Sequence, residues 1–389
     1  PQHWSPLETM TITLSIPESL KPEDGRFGSG PSKIRPEQIA ALDAGATTLL
    51  GTSHRQAPVK QLVASIREGL REFFHLPEGY EVALGNGGAS AFWEIACASL
   101  ITRRAAFGTY GSFSAKFAAS AANAPFLEDP VLFPGEPGTY RLPELTEGVD
   151  TYCWAHNETS TGVAAPIRRV AGSREAGALT VIAGTSAAGA LPVDISQTDV
   201  YYFSPQKAFG ADGGLWVAIL SPEAIDRAAG VDSSAHLEGA HRWVPPFLSL
   251  TTALNNSRKD QTLNTPAVAT LIMMENQIRW LNNNGGLAWA TTRCAKSASI
   301  LYSWAERSEY AAPFVVDADA RSNAVVTIDL DERVQASQVL SILRENGIVD
   351  AAGYRKLGRN QLRVGVFPSV EPADVMAFTK CVDYVVEHL

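Results

Sequence analysis

Short apolar runs that end in polar or glycine-bearing turns, with helix-length segments between them, constrain this chain more than any other feature. Glu81-Val82-Ala83-Leu84 leads into Gly85-Asn86-Gly87-Gly88 and then into an apolar segment, Ala89 to Leu100. Thr151 to His156 leads into the dense polar turn Asn157-Glu158-Thr159-Ser160-Thr161-Gly162. Leu179 to Ala183 leads into Gly184-Thr185-Ser186, and Val200-Tyr201-Tyr202-Phe203 into Ser204-Pro205-Gln206-Lys207. β-Branched and aromatic runs of this length read as buried strands. Their alternation with helices predicts an α/β fold on a mainly parallel sheet. Ligands of such sheets gather at the carboxyl ends of the strands, so the turns after residues 84, 156, 183 and 203 are expected to face one crevice.

Two of these turns carry chemistry. Lys207 stands at a strand end, before the tight turn Ala208-Phe209-Gly210-Ala211-Asp212-Gly213-Gly214. A lysine kept from water there loses its proton readily and can attack an aldehyde, although a lysine taken at random is more often solvated. Strand, glycine turn and helix at 81–100 aim free backbone N–H groups at an anion, with the positive end of a helix dipole behind them. The spacing fits neither a Walker motif nor the dinucleotide fingerprint. The connection Gly51-Thr52-Ser53-His54-Arg55-Gln56 sets a histidine beside an arginine between two proline-started helical segments. It serves equally well as a solvated loop or as a source of binding groups.

Composition narrows the partners. The chain has 389 residues, 45% hydrophobic and 19% charged, and a net charge of −9. Length favours two domains, and the acidic balance argues against nucleic acid. An anionic ligand must therefore meet a local cluster of cations. Cys97, Cys153, Cys294 and Cys381 show no metal-ligand or disulfide spacing, which suits a reducing cytoplasm. No targeting segment and no membrane-length apolar run are evident. The expected division is an extended segment over 1–25, a large domain over 26–284, and a smaller α+β domain over 285–389.

In this order, Arg26-Phe27-Gly28-Ser29-Gly30-Pro31-Ser32, Gly51 to Arg55, Trp154 to Gly162, Ser204 to Lys207 and Tyr354 to Arg363 carry a family resemblance. The chain resembles the fold-type-I pyridoxal-phosphate aminotransferases, and within them the phosphoserine aminotransferase family in its actinobacterial form. The resemblance covers essentially the whole chain. It implies pyridoxal 5′-phosphate held covalently by Lys207, which then serves as general base and acid. Gly88, Ala89 and Ser90 would bind the cofactor phosphate with help from Gln206. Phe113 would stack on the ring and Thr159 would meet its phenolic oxygen, with Ala183 and Thr185 beneath. Asn264 and Thr265 would reach the phosphate of a neighbouring subunit's cofactor, which implies an obligate homodimer with shared sites. Arg363 would take the substrate carboxylate. His54 and Arg55 of the partner chain, with Arg355, would take the distal phosphate of phosphoserine or the γ-carboxylate of glutamate. No metal is implied.

One departure stands out. The family places an aspartate where this chain has Ala183, paired with the cofactor's ring nitrogen to keep it protonated. Ala208 likewise stands where asparagine is more usual. The resemblance thus implies cofactor binding with impaired turnover. The competing readings are a serine or alanine:glyoxylate aminotransferase, and a cofactor-binding homologue without turnover.

Overall fold

The protein is described by a computed structural model covering residues 14–389; the first part of the extended segment, residues 1–13, lies outside the described residues. Two helices come first, α1 (Pro36–Ala44) and α2 (Ala57–Phe73). α2 buries Val59, Leu62, Val63, Ile66, Leu70 and Phe73, the helical stripe visible in the sequence. Then follow β1 (Glu81–Asn86), α3 (Gly88–Ser99), β2 (Ala105–Thr109), α4 (Ser112–Asn123), β3 (Val131–Pro134) and β4 (Thr151–Ala155). A small hairpin, β5 (Asn157–Glu158) and β6 (Val163–Ala164), precedes β7 (Leu179–Ala183), β8 (Val200–Phe203) and β9 (Leu215–Leu220). The helices α5 (Pro222–Ala235), α6 (Leu250–Ser257), α7 (Val268–Asn283) and α8 (Gly286–Arg307) come next. β10 (Ala311–Pro313), β11 (Val325–Leu330), α9 (Ala336–Glu345), β12 (Gln361–Gly365) and α10 (Pro372–Glu387) complete the chain.

The large sheet has the order β1-β9-β8-β7-β4-β2-β3. β2, β3, β4, β7 and β8 are mutually parallel, whereas β9 runs against both β8 and β1. The reversal follows from the connection: the residues between β8 and β9 contain no helix, and a parallel return needs a longer crossover. β1 therefore points the same way as β8, and the turns after β1, β4, β7 and β8 share one edge. β8 and β9 are buried along their whole length, as central strands between two helical layers are.

A second, antiparallel sheet, β10-β11-β12, packs with α8, α9 and α10 around its own core of Val326, Ile328, Val339, Val364 and Phe378. Ile16 and Phe27 join that core, and Gly365 donates its N–H to Phe27 O at 2.9 Å. The stretch from Leu14 to Phe27 thus lies against the C-terminal sheet. α8 spans both units, with Leu287 and Ala290 in the core of the large sheet and Ala298 to Ala305 in the smaller core. No described helix is long and apolar enough to cross a membrane.

Candidate active site

A cavity of about 290 Å³ opens where the four turns meet. Gly88, Ala89 and Ser90 enter from the start of α3, Asn157 and Thr159 from the turn after β4, Ala183, Thr185 and Ser186 from β7 and its turn, and Gln206 and Lys207 from the turn after β8. Trp93, Phe107, Phe113, Phe117 and Trp154 supply apolar wall.

Lys207 is buried, and its Nζ donates to Ser29 O at 2.7 Å. The chain Ser29-Gly30 passes so close that any side chain at Gly30 would overlap the lysine amine. Burial and then the Arg363 cation lower the Lys207 pKa to about 7, against the opposing pull of the Glu158 carboxylate. The amine is therefore half neutral near neutral pH, ready to attack a carbonyl.

α3 begins on two glycines in the left-handed region, Gly87 at φ 118° and Gly88 at φ 73°. A side chain there would strain the backbone, so the turn is open to Gly, and the first N–H groups of the helix face outward without a capping side chain. This is an anion cradle at the cavity edge.

Thr159 is buried, and its Oγ1 donates to Ser186 Oγ at 2.8 Å, which also accepts from Asn157 Nδ2 at 2.9 Å. Asn157 Oδ1 and Gln206 Oε1 are buried acceptors without a protein donor, and both residues line the cavity. Arg363 on β12 donates from Nη1 to Thr159 O at 3.0 Å, with its guanidinium 5.5 Å from the Tyr354 ring and its buried Nε unpartnered. Burial lowers its pKa without discharging it.

Phe113, in the first turn of α4, has the Lys116 Nζ 5.1 Å over its ring and the Tyr354 ring 5.8 Å away. Ser112 Oγ and Tyr354 OH are 2.9 Å apart, which ties the small sheet's loop to the start of α4.

The other expected residues stand apart from this cavity. Asn264 and Thr265 are exposed beside Asn86, whose Nδ2 donates to Asn264 Oδ1 at 2.9 Å and Thr265 O at 2.8 Å. His54 is buried with an unpartnered Nε2, whereas Arg55 is exposed and bonds Gln261. Arg355 is exposed in the loop before β12. None of these five residues lines the cavity of the same chain. Asp199 is engaged elsewhere, holding Arg169 at 2.6 Å and Thr180 N at 2.8 Å. Among the described residues no carboxylate lines the cavity, and Ala183 stands half-buried at its wall.

The family described as "Aminotransferase class-V" matches residues 27–359. The chain belongs to the class-V aminotransferases. A putative phosphoserine aminotransferase of Mycobacterium leprae is 56% identical over 382 residues, 98% of this chain and 100% of that one. A phosphoserine aminotransferase of Rhodococcus opacus is 56% identical over 380 residues, 98% of this chain and 100% of that one. Among solved structures, the phosphoserine aminotransferase of Bacillus circulans subsp. alkalophilus has a TM-score of 0.81 at 21% identity, covering 94% of this chain and 99% of that chain. At that identity the likeness concerns the fold.

This class-V aminotransferase depends on pyridoxal phosphate, and the cavity fits that group. A buried lysine with a neutral fraction at pH 7, an uncapped helix start for a phosphate, and an aromatic wall beside them are the features such a molecule needs. Glu158, Asn157 and Tyr354 have no role legible in the sequence. The run Asn157-Glu158-Thr159 was conspicuous as a polar turn, but only contacts across the fold reveal what each member does.

Proposed function

We propose that the chain is a phosphoserine aminotransferase of L-serine biosynthesis, exchanging an amino group between O-phospho-L-serine or 3-phosphohydroxypyruvate and glutamate or 2-oxoglutarate. The observation that carries this is the 56% identity, over 98% of the chain, to relatives named for that activity. Bound pyridoxal phosphate supplies a carbonyl that condenses with amines and a ring that accepts the electron pair released at the substrate's Cα.

The chain's own residues do the rest. Lys207 would hold the cofactor and, once freed, would take the proton from the substrate's Cα as a base and return it as an acid. An amine with a pKa of about 7 suits both directions, since either form is available at neutral pH. Gly88, Ala89, Ser90 and Gln206 would hold the phosphate, Phe113 would cover the ring, and Thr159 with Thr185 would orient it. Arg363 receives the carboxylate in its planar fork, which Thr159 O and the Tyr354 ring keep aimed.

His54 and Arg55 from a partner subunit, with Arg355, receive the distal anion. Asn264 and Thr265 complete the partner's phosphate site, so the working unit is a homodimer with shared sites. The exposure of Arg55, Asn264 and Thr265 outside the chain's own cavity favours that arrangement. The large unit over 26–284 carries the cofactor and the unit over 285–389 carries Arg355 and Arg363. The setting is the cytoplasm.

Ala183 favours slow chemistry. Without a carboxylate at the ring nitrogen, Thr185 or Ser186 would offer only a hydroxyl, which would not hold the nitrogen protonated. A charge-assisted hydrogen bond lost from the transition state costs about 1.5–3 kcal/mol, on the order of 10- to 200-fold in rate.

An amino-donor assay tests the substrate assignment. Phosphoserine is expected to exceed alanine and serine by about 100-fold or more in kcat/KM, because a doubly charged distal group meets two or three cations. A preference for alanine would assign the chain to the alanine:glyoxylate type instead.

A further inference from the structure

Glu158 is completely buried, yet it pairs with no arginine or lysine; its partners are the start of a helix and two serines. Ser114 donates to Oε1 from both N and Oγ at 2.9 Å, and Phe113 N reaches Oε2 at 3.4 Å. From its own side, Ser160 donates to Oε2 from Oγ at 2.8 Å and from N at 3.4 Å. The N-cap position of α4 is Gly111, which has no side chain to satisfy these donors. A carboxylate from the turn after β4 does so instead, at the positive end of the helix dipole. Gly111 is glycine for a related reason. Its φ of 177° is open to any residue, but a methyl group there would overlap the Glu158 side chain.

We propose that Glu158 is a positioning residue of the cofactor pocket, which clamps Phe113 at the start of α4 to the turn that carries Thr159. The clamp joins two of the residues assigned to the ring, since Phe113 and Thr159 flank the two ends of the hydrogen-bond set. In support, Arg363 lowers and Glu158 raises the proton affinity of the Lys207 amine, both behind the larger effect of burial. The same charge raises the neighbouring Tyr110 phenol, behind the larger effect of burial. Arg363 and Glu158 are the charged groups that act on Lys207 from the elements packed around it, β12 and the turn after β4. The inference rests on the aminotransferase reading, and its test separates the two.

Full-length cofactor-free protein is mixed with pyridoxal phosphate at a series of pH values, the adduct on Lys207 is trapped with borohydride, and its formation is followed by mass. Protonated amine does not attack, so the wild-type rate is expected to rise with pH through a midpoint of about 7. Glu158→Gln removes the charge and should lower that midpoint by about 0.5–1 pH unit, making the reaction about 3- to 10-fold faster at acid pH. Glu158→Asp keeps the charge and should keep the midpoint. Gly111→Ala, which displaces the carboxylate without deleting it, should free Phe113 as Glu158→Gln does, and it carries the test through the dichroism below if the latter proves insoluble. In both variants the visible circular dichroism of bound cofactor should fall by half or more, as Phe113 loses its fixed place. An unchanged midpoint and an unchanged dichroism, with only thermal stability reduced, would make Glu158 a strut and overturn the proposal. Wild-type protein that forms no adduct on Lys207 at any pH would overturn the aminotransferase reading beneath it.

Discussion

Replacing Lys207 with alanine is expected to lower transamination by about 10⁴-fold while leaving a protein that still binds pyridoxal phosphate without a covalent link. The figure is the upper end of what a positioned acid–base group contributes, and the lost attachment adds to it. Binding should persist because the phosphate cradle at Gly88, Ala89 and Ser90 and the aromatic wall at Phe113 are independent of the lysine. Stability should change little. In the native site the amine is buried with a single bond to Ser29 O, and its depressed pKa of about 7 says that burial already disfavours its charge. Turnover by Lys207→Ala within 10-fold of wild type would mean that another group moves the proton.

Converting Ala183 to aspartate should act in the opposite direction. β7 pairs Ala183 between Ala155 of β4 and Tyr202 of β8, so the backbone at this position is fixed on both sides. A carboxylate added there would enter a cavity that has none. With cofactor bound it would pair with the ring nitrogen and keep it protonated, and turnover should rise about 10- to 200-fold. Without cofactor the same carboxylate would be half-buried and unpaired, so Ala183→Asp should be less stable than wild type until pyridoxal phosphate is added. Turnover unchanged by a variant that folds and binds cofactor would refute the assignment of Ala183 to the ring nitrogen. The contrast with Lys207→Ala is useful, because one change removes the group that moves the proton and the other restores the charge that makes the proton easier to remove.

Much of the fold was legible because strand and helix periodicities are local. β4, β7 and β8 are short runs of β-branched, aromatic and apolar residues, and the stripe on α2 repeats at helical spacing. β3 escaped notice since it is a four-residue edge strand with only Phe133 buried. The reversed direction of β9 is absent from its apolar run, but the helix-free stretch from Ser204 to Gly214 implies it. The crevice followed from the common direction of the strand ends. What the sequence could not display is the partnership of Glu158, whose hydrogen bonds reach α4 across 44 or 45 residues. A glutamate in a polar turn ordinarily faces water; here burial and the bare Gly111 N-cap give it another use. His54 shows the same limit, reading as a loop histidine but standing buried with an unpartnered Nε2.

The visible spectrum of the purified protein loaded with pyridoxal phosphate, taken before and after addition of phosphoserine, tests the central claim most directly. The account predicts a band from lysine-bound cofactor that gives way, slowly on account of Ala183, to the band of the aminated cofactor, and that returns when 2-oxoglutarate is added. A lysine-bound band that phosphoserine leaves unchanged, even after long incubation, would contradict it.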